Sequence, residues 1–158
     1  MAQLRMERQA KDNNYLHKDF HKALNRALIY LEERHGCEAV TAYLEEFANS
    51  FYAPLRLALL ERGLDALRDH FQRVYAQEGG DVTITRDKEA DRLSIRVHSC
   101  PAVSHIRAGG DPVSGLFALT HSVINASLCQ NTPYRAELID YQPSDGACLQ
   151  VFARKEHP

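Results

Sequence analysis

The stretch His98-Ser-Cys-Pro-Ala-Val-Ser-His105 concentrates groups able to do nucleophilic chemistry. Cys100 stands just before Pro101. Proline is favoured as a first helical residue, which puts Cys100 at or near a helix N-cap. A helix N-terminus stabilises negative charge, so a thiolate there is favoured. His98 and His105 flank it, and an imidazole beside a thiol can take its proton. The plainer alternative is a cysteine ending a core strand, with two surface histidines. A second set, His121, Asn125 and Cys129, is spaced i, i+4, i+8 on a mostly apolar helix. Buried polar groups need partners. A ligand can supply them, and so can the sheet backbone. Asn125-Ala-Ser127 also matches a glycosylation sequon, which inside a helix reads as a chance match.

Metal ligands are present by type but not by spacing. Cys100, His105, His121, Cys129 and Cys148 include no compact pair of the zinc kind, and no C-x-x-C occurs. Glu137-x-x-Asp140 with Cys148 is a further cluster, but residues an odd number apart on a strand point to opposite faces. No cofactor is called for, zinc being the one metal with conceivable ligands. His17 and His21 are i, i+4, but they sit among Lys18, Asp19 and Lys22 and read as a solvated face. The aromatics Tyr15, Tyr30, Tyr43, Tyr52, Phe71 and Tyr75 fall on helical stripes and read as core or as a helix-packed dimer.

Hydrophobic periodicity supplies the elements that must hold these groups. Residues 1–12 are polar and expected to be a flexible N-terminus; 13–158 are read as one domain, helical over 13–78 and ββααββ over 79–158. Leu16, Phe20, Leu24, Leu28 and Leu31 mark one face of a helix over about 13–35. Gly36 precedes a second helix, about 38–52, striped by Val40, Leu44, Phe47 and Phe51. Pro54 opens a third, which runs to about 77 and contains Gly63, a residue able to weaken or bend it. The period then shortens to two at Val82 and Ile84 and at Leu93, Ile95 and Val97, around the charged turn Asp87–Asp91. A short helix follows Pro101, a longer one spans about 115–130, and a second hairpin closes the chain: about 134–142, a turn at 143–146, then 147–154. The order ααα-ββ-αα-ββ predicts an α+β fold, an antiparallel four-stranded sheet backed by helices.

The chain has 158 residues, 44% hydrophobic and 25% charged, with a formal net charge of −2. Charges are evenly mixed, so nothing argues for nucleic acid as a partner. No apolar run approaches the ~18 residues of a membrane span. The N-terminus lacks the apolar core of a signal peptide, so a cytoplasmic location is expected. The four cysteines, Cys37, Cys100, Cys129 and Cys148, are read as thiols. No G-x-G-x-x-G, phosphate-binding loop or G-x-S-x-G motif is present.

Taken together, Cys100-Pro-Ala-Val-Ser-His-Ile-Arg107, the stretch His121 to Cys129, Tyr134-Arg-Ala-Glu-Leu and Gly146-Ala-Cys-Leu-Gln-Val-Phe152 resemble the L-2-amino-thiazoline-4-carboxylic acid hydrolase-like family. The resemblance extends over most of the chain from about residue 15. It implies a hydrolase that opens a small cyclic amidine to an N-carbamoyl amino acid. On that basis Cys100 would be nucleophile or would position water. His105 would be general base and acid, with His121 as its alternate. Asn125 would hydrogen-bond the amidine or the tetrahedral centre. Arg107 or Arg135 would pair with the substrate carboxylate, and Cys129 would complete the substrate side.

More distantly, the layout is similar to 4-vinyl-reductase-type ligand-binding domains, which enclose small hydrophobic molecules and in some cases hold zinc near the last hairpin. Cys148 matches that position, but Asp140 stands where a second thiol would be wanted. Three readings therefore stand: a hydrolase, a small-molecule-binding module without turnover, and a structural homodimer packed through the N-terminal helices. An enzyme needs a perturbed thiol or imidazole, whereas a binding module needs only shape.

Overall fold

The computed structural model describes residues 18–156; the expectations for the N-terminal segment, the first turn of the first helix, Tyr15, Leu16 and His17 lie outside them. Four helices come first: α1 (Lys18–His35), α2 (Cys37–Phe51), α3 (Ala53–Arg62) and α4 (Leu64–Glu78). The hairpin of β1 (Asp81–Asp87) and β2 (Arg92–Ser99) follows, then α5 (Pro101–Ala108), α6 (Leu119–Leu128), β3 (Tyr134–Ile139) and β4 (Cys148–Arg154). The fold is α+β, with one antiparallel sheet of strand order β1-β2-β4-β3. The two hairpins join through β2 and β4, so both outer strands are edges.

The expected third helix is two helices. Gly63 adopts φ 63°, ψ −155°, which ends α3 and starts α4. The break is also steric: a Cβ at Gly63 would meet the Tyr134 hydroxyl at 2.8 Å. The helix expected over 115–130 is shorter, because residues 115–118 form turns before α6 begins. Those turns are held from a distance. The fully buried Asn25 of α1 donates from Nδ2 to the Pro112 carbonyl at 2.8 Å, and its Oδ1 accepts from Ser114 N–H at 2.8 Å. At the other end of α6, Arg56 of α3 donates to the carbonyl oxygens of Ser127, at 2.6 Å, and Leu128, at 3.4 Å, in the last turn, where carbonyls run short of i+4 partners. β3 ends earlier than expected, since Asp140 takes φ 54°.

One face of the sheet carries Leu93, Ile95 and Val97 of β2, all at 0–1% exposure, opposite Phe152, Gln150 and Cys148 of β4. The helices cover this face. Their buried stripes, Leu24 and Leu28 of α1, Val40 and Leu44 of α2, and Leu64 and Leu67 of α4, join it in one apolar cluster. α1 packs on α5, and α2 on α6. The opposite face carries Thr83, Arg96, Arg135 and Glu137. One solvated and one covered face is the ordinary state of an antiparallel sheet. Within the covered face Gln150, at 1% exposure, is the exception: a polar side chain where the row is otherwise apolar.

Candidate functional site

Gln150 lies at the inner end of a cavity of about 340 Å³ between the helices and the sheet. α1, α2, α3, α4, the N-terminus of α5, α6 and β4 all contribute to its wall. The wall is mostly apolar, and aromatic rings run along it. Phe47 stacks on Phe51 with centroids 5.3 Å apart, and Tyr52 stands edge-on to Phe51 at 5.1 Å. Tyr52 contacts the His70 ring at 5.8 Å, and Phe71 reaches Phe152 at 5.6 Å. Phe20 and Phe51 line the cavity yet remain 46% and 63% exposed, which puts them at its opening.

The polar groups are few and joined. Asn125 donates from Nδ2 to Gln150 Oε1 at 2.7 Å, and Gln150 Nε2 donates to the Tyr75 hydroxyl at 3.1 Å. Burial pushes the Tyr75 hydroxyl well above the usual tyrosine range, so it stays protonated. His21 Nε2 meets Glu78 Oε1 at 3.0 Å, with both side chains largely covered. His21 is therefore part of the cavity wall rather than of a solvated face, because Glu78 at the end of α4 meets its ring. His121 also lines the cavity, and its Nε2 has no hydrogen-bond partner among the described residues. Burial, reinforced by His21, holds its imidazole down at about 4, so it is neutral at pH 7. Burial and the charge of Arg73 lower His70 to about 4 as well.

Cys100 occupies the N-cap of α5, as the Cys-Pro pair implies, and lines the cavity at 3% exposure. The Ala102 and Val103 N–H groups face its sulfur without a full capping hydrogen bond. Burial outweighs them and raises the thiol, so the expected thiolate is not favoured here. The site is tightly built, since a Cβ at Gly146 would meet the Cys100 Cβ at 2.5 Å and Val103 at 2.9 Å.

Of the predicted catalytic and substrate-binding residues, the cavity brings together Cys100, His121 and Asn125. His105 is not in its wall. Five residues along a helix turn through about 500°, which leaves His105 about 140° around α5 from Cys100. His98 points to the other face of the sheet, where its Nε2 lies 2.9 Å from the Thr83 hydroxyl. Arg107 is exposed and donates to the Pro143 carbonyl at 3.2 Å. Cys129 and Arg135 line a different depression, an open groove of about 450 Å³ beyond α6, with Glu45, Gln130 and Lys155. Burial pushes the Cys129 thiol up to about 12.

Among the described residues no group of three or more histidine, cysteine or acidic side chains is placed to hold a metal ion. None of the described helices is long and apolar enough to cross a membrane. Sequence reasoning passed over Glu78, His70 and Gln150 as site residues, and read Tyr75 only as core or dimer contact. Only Gln150 left a visible signal, as the lone amide within Leu149-Gln-Val-Phe152. Comparison with known protein families and with curated proteins finds no match to this chain.

Proposed function

We propose that the protein binds a small, largely apolar molecule in the cavity between its helices and the sheet. The observation that carries this reading is the cavity itself: about 340 Å³, walled mainly by aromatic and aliphatic side chains, with Asn125, Gln150 and Tyr75 linked at its inner end. Ligand sites are commonly apolar clefts of this order of size with a few placed polar groups. The titratable groups support binding over turnover. A raised thiol and a neutral imidazole do not make a thiolate–imidazolium pair. The test is calorimetric titration with 4-phenylbutan-1-ol. Saturable binding is expected, weakened at least about tenfold by Leu55→Trp, which extends a ring into the space. No binding, or equal binding to the variant, would overturn the reading.

The hydrolase reading rests on one specific observation: Cys100, His121 and Asn125 line the same cavity. If it holds, Cys100 adds to the amidine carbon as its C=N bond opens, and His121 takes the thiol proton and delivers it to the ring sulfur as the ring C–S bond breaks. Water then displaces Cys100 to release the N-carbamoyl product, with Asn125 holding the developing charge. His105, Arg107, Cys129 and Arg135 take no part in that version. Ring opening of L-2-amino-thiazoline-4-carboxylate, followed by mass spectrometry and lost in Cys100→Ala, is the outcome it requires. Undiminished turnover in that variant would remove the nucleophile.

A further inference from the structure

The charge of the cavity wall narrows the chemistry of its occupant. Among the described residues, Glu78 is the only carboxylate in the wall, and no lysine or arginine lines it. Its partner among the described residues is His21, an imidazole that balances the charge only when protonated. Glu78 is the last residue of α4, so the negative end of that helix adds to its field. The same field contributes to raising Tyr52, Tyr75 and Cys100, in each case after burial. Apart from His21 when protonated, the positive feature among the described wall residues is the N-terminus of α5, where the Cys100 sulfur sits.

The rest of the wall suits a cation as well. Aromatic faces attract ammonium groups, and more strongly when water is excluded. A neutral imidazole offers a lone pair on one ring nitrogen whichever tautomer it adopts, and the buried His121 has an unpartnered ring nitrogen. An anionic ligand would find no lysine or arginine among the described wall residues and would face Glu78.

We infer that the occupant is an organic cation, a protonated amine on an apolar body, with its ammonium at Glu78 and its body among the rings of α2 and α4. This inference rests on the binding reading above and specifies its ligand class. The amine competes with His21 for the carboxylate and presents the donors that His121 and Glu78 can accept.

The test is a ranking of three probes of equal body: 4-phenylbutylamine, 4-phenylbutan-1-ol and 4-phenylbutanoate, titrated calorimetrically into the wild-type chain and Glu78→Gln. The amine is expected to bind at least about tenfold more tightly than the alcohol, and the carboxylate most weakly. Glu78→Gln is expected to remove the amine's advantage over the alcohol. Equal binding of amine and alcohol by the wild type, or tighter binding of the carboxylate, would overturn the cation and leave the binding reading standing. Binding of none of the three would overturn both. The wild-type ranking decides the matter even if the variant fails to fold.

Discussion

α6 has a depression on either side, and the two differ in kind. On one side Ile124, Asn125 and Leu128 face the aromatic cavity; on the other Ala126, Ser127 and Cys129 face an open, polar groove. The cavity is enclosed because α1 to α4 wrap over it, and its polar atoms are joined in a chain through Gln150. The groove has charged walls, Glu45, Arg135 and Lys155, exposed enough to be met by water. The i, i+4, i+8 set His121, Asn125 and Cys129 spans both. Each four-residue step turns about 40° past a full circle, so eight residues accumulate about 80°. That drift carries Cys129 from the cavity side to the groove side.

Substitutions should separate the two sides, beginning with the apolar wall. Leu128→Ala removes a side chain at 1% exposure and is expected to cost about 2–5 kcal/mol in denaturant unfolding. A cost below about 1 kcal/mol would mean the cavity side is not packed as described. Asn125→Leu leaves the Gln150 carbonyl oxygen without its donor and is expected to cost about 1–3 kcal/mol. Repeating it in a Gln150→Leu background should recover most of that loss, since both partners are then apolar.

The pH dependence isolates the cavity histidines. Folded His121 and His70 lie near 4 against 6.5 for the free side chain, so between those values the unfolded chain binds more protons. Stability is expected to fall as pH drops from about 6.5 towards about 4, and to fall less steeply in His121→Phe. Unchanged slopes in that variant would show that His121 is solvated.

The smallest effect belongs to the groove. Arg135→Ala, at an exposed site, is expected to change stability by less than about 0.5 kcal/mol and to leave 4-phenylbutan-1-ol binding unaltered. Thiol labelling sharpens the same contrast. Cys37 is exposed and should react first in the native protein, while the buried Cys100, Cys129 and Cys148 react slowly. Protection of Cys100 by the alcohol, without protection of Cys37, would follow if the cavity is occupied.

Local pattern made the fold class and much of the element order legible. The spacing of Val40, Leu44 and Phe47 requires a helix with one apolar face, and the alternation of Leu93, Ile95 and Val97 requires a strand with one covered face. The Cys100-Pro101 pair likewise announced its helix N-cap, because the proline constraint acts on adjacent residues. What each side chain meets was beyond that reach. His21 lies 57 positions from Glu78, and Gln150 lies 75 from Tyr75; no periodicity encodes such pairs. Whether Cys100 is a thiolate depended on how much chain lies over it, a quantity set by the packing of four helices on the sheet. Spacing determines which residues share a face. Packing alone determines which faces meet, how much water remains between them, and so which charges the enclosed space accepts.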